Sequence, residues 1–140
     1  LRYEIEKQLF NGDLAVDDLP SAWNTMFKAW FDVDVPEDRL GCLQDIHWSM
    51  GAFGYFPTYT LGNLYAAQLL EAMAADLGDI DELVASGDWE PMLAWLRPRI
   101  HERGSQVSPA QLIEDATGSP PSPEPFLRYV ERKYGELYQL

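Results

Sequence analysis

Several things are scarce in this 140-residue chain, and each scarcity excludes something. There is one cysteine, Cys42, so no internal disulfide framework and no cysteine-rich zinc site can form. A single free thiol fits a reducing compartment, and the expected location is cytoplasmic. There are two histidines, His47 and His101, too far apart in the chain to make a His-x-x-x-His metal pair on one helix. Basic residues number 10 against 23 acidic, a formal charge of −13. That balance argues against a nucleic-acid partner, which needs concentrated Lys and Arg, and against anionic membranes. No apolar run approaches the roughly 20 residues of a membrane span, and no secretory signal opens the chain. Strand-like alternation is missing as well. The fold class expected is all-α.

What is present reads as a succession of helices in one helical region, 1–140. Leu1, Ile5 and Leu9 follow helical spacing up to Asn11-Gly12. Asp17-Asp18 before Leu19-Pro20 marks a second start, with acids against the positive end of the helix dipole. Trp23, Met26, Phe27, Trp30 and Phe31 share a face of that helix, as core or as subunit contact. A long helix is expected over 60–77, with Leu61, Leu64, Tyr65, Leu69, Met73 and Leu77 buried and Gly62, Ala66 and Ala67 admitting a close neighbour. Asp79 with Glu82, and then Asp88, read as caps of two short helices. Pro98 predicts a break or bend near Leu96. Ser108-Pro109-Ala110-Gln111 opens another helix, which stops at Gly118. Four prolines within 119–125 form a stiff link to a last helix lined by Phe126, Leu127, Val130, Tyr134, Leu137 and Tyr138.

Residues 41–59 fit no simple period. They hold His47, three glycines and, besides Trp48, the aromatics Phe53, Tyr55, Phe56 and Tyr59. The stretch is too apolar for a solvent loop and too interrupted for an ordinary helix, as a shaped pocket wall would be. Gln44, Asp45 and Trp48 stand where they could orient the His47 ring and fix its tautomer. Two readings of His47 stay open on residues alone: a hydrogen-bonded structural histidine, or a substrate-facing one. Tyr55 and Tyr59 are likewise either aromatic packing or hydroxyl donors to a developing oxyanion. His101-Glu102 begins like HExxH, but residue 105 is serine, and His101 reads as a solvent-facing residue at a helix end.

Gly41-x-x-Gln44-Asp45-x-His47-Trp48 resembles the GxxQDxHW motif of the M32 metallocarboxypeptidases, the carboxypeptidase Taq family. Phe53-Gly54-Tyr55-Phe56-Pro57-Thr58-Tyr59, Leu61-Gly62-Asn63-Leu64-Tyr65-Ala66-Ala67-Gln68, Leu1-Arg2-Tyr3-Glu4-Ile5-Glu6 and Pro123-Glu124-Pro125-Phe126-Leu127-Arg128-Tyr129 are similar to that family too. The resemblance implies a helical, cytosolic, homodimeric, zinc- or cobalt-dependent enzyme that removes C-terminal residues from peptides. Its metal would be held by the two histidines of HExxH and a further Glu. This chain contains neither that motif nor the HPF, DxRxT and IRxxAD motifs. The expectation is therefore the C-terminal third of such an enzyme, with no metal ligand of its own and no activity alone. His47, Tyr55 and Tyr59 would be the catalytic residues, His47 bonding substrate backbone and a tyrosine steadying the oxyanion. Gln44, Asp45 and Trp48 would bind substrate or orient them. The competing expectation is a free-standing acidic helical interaction module, docking a partner helix on Trp23, Phe27 and Trp30.

Overall fold

A computed structural model describes residues 1–140 in full. Every regular element is helical. The chain divides into two compact units, Leu1–Thr60 and Leu61–Leu140.

The first unit contains α1 (Arg2–Asn11), α2 (Leu19–Phe31), a turn-rich loop from Gly41 onward, and the first turn of α3 (Pro57–Leu77). Helix α1 ends as its Asn-Gly predicts, with Gly12 left-handed at φ 80° and its N–H capping the last turn. The α1 stripe supplies Ile5, which is fully buried with Trp23 of α2 and Cys42 of the loop. Leu1, Leu9, Leu14, Leu19, Met26, Phe27, Val35 and Trp48 pack around these three. The Trp48 ring meets Trp23 edge-on at 6.2 Å. Truncating Trp23 to Ala would cost about 3–5 kcal/mol, the usual penalty for emptying so large a buried volume.

Two expectations for this unit change. Asp18 makes no side-chain cap bond, because α2 is entered through a 3-10 turn, Val16–Asp18, that leaves Asp18 already right-handed. The aromatic stripe of α2 is also split. Trp23 is 1% exposed, whereas Trp30 and Phe31 stand more than half exposed. A face anchored on Trp23 is therefore not free to dock a partner helix.

The second unit is the rest of α3 with α4 (Ile80–Ser86), α5 (Glu90–Leu96), α6 (Pro109–Thr117) and α7 (Glu124–Tyr138). Its core is Met73, Ile80 and Trp95, with Leu69, Leu77, Leu83, Met92 and Leu96 against them. Asp79 caps α4 by accepting from the Glu82 N–H, and Ser108 caps α6 by accepting from Gln111 N–H. Asp88 caps nothing: α5 begins after Trp89, and no side-chain bond closes its start. At Pro98 the backbone widens into a π-helical turn, Arg97–His101, directly after Leu96. That turn absorbs the missing proline N–H without ending the helical path. His101 is exposed.

Helix α3 starts three residues earlier than its apolar spacing suggests, at Pro57, whose fixed φ suits a first turn. Leu61 is exposed, and no atom lies within 4 Å of where a Gly62 Cβ would stand, whereas Ala66 and Ala67 line a groove together with Phe126 and Tyr129 of α7. Leu127, Leu137 and Tyr138 of α7 are also exposed.

Candidate functional site

The 41–59 stretch is anchored to α1 by side-chain bonds. Arg2, Ile5, Glu6 and Leu9 lie on one face of that helix, so its buried stripe carries two charges. Glu6 is 7% exposed. One of its oxygens accepts from the Trp48 indole N–H at 3.1 Å, and the other from the Gly54 backbone N–H. Gly54 sits at φ 74°, a left-handed conformation that a side chain would strain. The glycine is thus needed to turn its amide inward. Gly41 answers a different need: a Cβ there would stand 2.7 Å from Val35 Cγ1 and 3.3 Å from Trp23 Cδ1.

Arg2 Nε donates to Asp45 Oδ2 at 2.8 Å, while its guanidinium carbon lies 5.1 Å from the Trp23 ring and 5.3 Å from Phe56. Asp45 Oδ1 accepts the His47 backbone N–H at 3.3 Å and faces the ring Nδ1 at 3.2 Å. Burial by itself would push the Asp45 carboxyl up. The Arg2 bond and the two His47 contacts outweigh it and hold the carboxyl below its ordinary value. An ionised carboxylate only accepts, so Nδ1 carries the proton. In the neutral ring, Nε2 is then the acceptor, and the Tyr59 hydroxyl, 3.1 Å away, donates to it.

The imidazole is boxed by aromatics. Tyr55 stacks on it at 5.6 Å and 27°, Phe56 lies at 4.7 Å, and Tyr59 meets it edge-on at 5.9 Å. Tyr59 belongs to the first turn of α3, while Tyr55 precedes that turn, with Thr58 bonded back to the Tyr55 carbonyl. Tyr55 and Tyr59 are 47% and 53% exposed, and the His47 side chain 23%. Tyr55 touches His47 and Tyr59 only through its ring, which leaves its hydroxyl uncommitted and open.

The fold therefore brings Asp45, His47, Tyr55 and Tyr59 together. Trp48 belongs to the floor: it faces Glu6, Trp23 and Phe56 instead of the imidazole. Gln44 is exposed, and its backbone N–H bonds to Gly41; no side-chain bond carries it to His47. The sequence reading missed Arg2 and Glu6. Their signal was available, as charges at positions three and four residues from apolar neighbours on the buried face of α1. Nowhere do three or more His, Cys, Asp or Glu side chains converge as a metal centre would require. The residues present do not fit a catalytic metal.

These side chains stand on a wholly helical scaffold, and comparison with known proteins shows which family carries it. The sequence model of the Carboxypeptidase Taq (M32) metallopeptidase family matches residues 1–134. The chain is 47% identical over 138 residues to thermostable carboxypeptidase 1 of Thermus thermophilus, covering 99% of this chain and 27% of that protein. It is 41% identical over 140 residues to carboxypeptidase 1 of Bacillus subtilis, covering all of this chain and 28% of the relative. The crystal structure of the M32 carboxypeptidase from Deinococcus radiodurans R1 superposes with a TM-score of 0.93 at 37% identity, over 99% of this chain and 28% of that one. The chain belongs to the M32 metallopeptidase family. It spans little more than a quarter of the length of these relatives.

Proposed function

We propose that these residues act as the C-terminal portion of a metal-dependent carboxypeptidase that removes C-terminal amino acids from peptides, and that residues 41–59 form one wall of its substrate channel. The observation that carries this reading is the uncommitted Tyr55 hydroxyl, held beside an imidazole that is itself fixed on both nitrogens. In this reading Tyr55 donates to the oxygen of the tetrahedral intermediate, where negative charge develops. The His47–Tyr59 pair bonds substrate backbone near the scissile bond, with Asp45 orienting the ring. Gln44 is open to peptide directly, and Trp48 supports the wall from behind. The metal, zinc or cobalt, would be held by residues outside this chain. The relatives' names support the reaction, the buried thiol supports a cytoplasmic location, and the assembly is read as a homodimer.

The test uses the protein expressed from the complete reading frame in which this sequence lies. Tyr55→Phe should lower kcat by one to three decades with metal content unchanged, as loss of one oxyanion donor does. Unchanged kcat in both Tyr55→Phe and Tyr59→Phe would sink the oxyanion assignment. The 140-residue chain alone, given zinc or cobalt and a peptide, should release no C-terminal residue. Turnover there would place the chemistry within this chain and overturn the division of labour.

A further inference from the structure

Arg2 lies 43 positions from Asp45 in the sequence, yet it bonds directly to the carboxylate that faces the His47 ring. The Asp45 carboxylate has two oxygens and serves three donors: Arg2 Nε on Oδ2, and the His47 backbone N–H and ring Nδ1 on Oδ1. The Arg2 bond is the shortest of the three, at 2.8 Å. Its guanidinium is positioned by the Trp23 and Phe56 rings, so the fork has little freedom to swing away.

We infer that Arg2 is a positioning residue for this site: by occupying Asp45 Oδ2 it dedicates Oδ1 to His47 and fixes the imidazole as the Nδ1–H tautomer, whose Nε2 accepts the Tyr59 hydroxyl. The inference deepens the substrate-wall reading above and rests on it for its catalytic consequence. With the tautomer fixed, the two phenols have opposite roles. Tyr59 spends its proton on Nε2 and offers substrate only oxygen lone pairs, which suits a peptide N–H. Tyr55 keeps its proton and can give it to a carbonyl oxygen. A ring free to adopt either tautomer would at times donate from Nε2 to Tyr59, releasing the Tyr59 proton outward and presenting two donors where the wall needs one donor and one acceptor.

The groups that face the ring are Asp45 from its own loop, Tyr55, Phe56 and Tyr59 from the chain leading into and beginning α3, and, through Asp45, Arg2 from α1. Glu6, the other charge on that face of α1, is spent on Trp48 and Gly54. No group besides Asp45 and Tyr59 is therefore placed to select the tautomer.

The experiment is nitrogen-15 NMR of histidine-labelled protein from the complete reading frame, with the His47 signals assigned by their loss in His47→Gln. Wild type should show a protonated Nδ1 and a bare Nε2. Arg2→Met should move both ring shifts toward an averaged mixture and lower kcat about tenfold with KM changed less than twofold, the usual scale for losing the partner of an orienting carboxylate. Arg2→Lys, which keeps the charge but not the fork, should recover part of both effects. Asp45→Asn is the second arm. With its amide oxygen turned to Arg2, its NH2 group faces Nδ1 and should invert the tautomer to Nε2–H. Wild-type ring shifts and kcat in folded Arg2→Met would overturn the inference and reduce Arg2 to a structural ion pair. Should Arg2→Met fail to fold, an unchanged tautomer in Asp45→Asn would overturn it equally. If the shifts move as stated while His47→Gln and Tyr55→Phe retain full kcat, the positioning role stands and the substrate-wall reading falls.

Discussion

The two units each bury one polar side chain, Glu6 in the first and Gln68 in the second, at 7% and 5% exposure. Each fastens an irregular segment to a helix, and the choice of residue follows from what that segment offers. The glycine-rich loop turns N–H groups inward, at Gly54 and the Trp48 indole, and a carboxylate, which only accepts, meets both. The link after α6 is rich in proline, which has a carbonyl but no N–H. It therefore presents a surplus of acceptors, and an amide that both donates and accepts is required. Gln68 Nε2 donates among Thr117 Oγ1, Ser119 O and Pro120 O at 3.0–3.1 Å, and its Oε1 accepts the Ser122 N–H. One clasp supports a surface with an imidazole and two half-exposed phenols, of which only Tyr55 has an unbonded hydroxyl. The other secures a connection, and no histidine lies beside it.

That contrast can be broken most directly at Glu6. Glu6→Ala strands the Trp48 and Gly54 donors inside the first unit and should cost about 3–5 kcal/mol. Amide exchange over 41–59 should speed by at least a hundredfold while 117–123 holds its protection. Comparable acceleration in both segments would show that the clasps are not separate. Gln68→Leu is the mirror experiment, expected to cost about 2–3 kcal/mol. It should expose the Ser122 amide to exchange and leave kcat alone; a tenfold fall in kcat would mean the second clasp also serves the site.

A smaller effect sharpens the account of the loop. Gly41→Ala forces a methyl against Val35 and Trp23 and should destabilise by about 1–2 kcal/mol, typical of overpacking. Adding Val35→Ala should return part of that loss in urea titration, and strict additivity of the two would refute the crowding explanation.

The smallest expected effect is electrostatic. The folded Asp45 carboxyl lies below its ordinary 3.8. Its contribution is therefore complete above about pH 4 and is lost as pH falls through the lower folded value. With Arg2 and Asp45 about a third and a quarter exposed, screening limits that contribution to under about 1 kcal/mol. Urea midpoints measured from pH 5 down to pH 3 should fall less steeply in Asp45→Asn than in wild type, and parallel curves would contradict the assignment.

Local chemistry was legible wherever a helix declares itself by spacing and caps. The ends of α1 and α4, the start of α6, and the disturbance at Pro98 could be read from single residues, because each depends on neighbours within four positions. Asp88, Leu61 and Gly62 misled for the converse reason. A capping acid or a glycine on a helix face acquires its role from what the backbone and the neighbouring helices do next, and nothing caps on Asp88 or packs at Gly62. Tyr59 looked like a loop residue because apolar spacing begins at Leu61, whereas Pro57 starts the helix earlier and places the phenol in its first turn.

The amino-acid sequence by itself determined the helical class, the family, and the stretch in which His47, Tyr55 and Tyr59 lie, since motif and periodicity are properties of order along the chain. Only the tertiary structure decided that Arg2 and Glu6 belong to that stretch, that Trp48 faces Glu6, Trp23 and Phe56, and that Tyr59 is committed to His47 while Tyr55 is free. Those facts depend on hydrogen bonds between residues more than forty positions apart, or on which way a ring turns in a packed site. Such relations are fixed by the burial of α1 against the loop, and the order of the residues alone does not carry them.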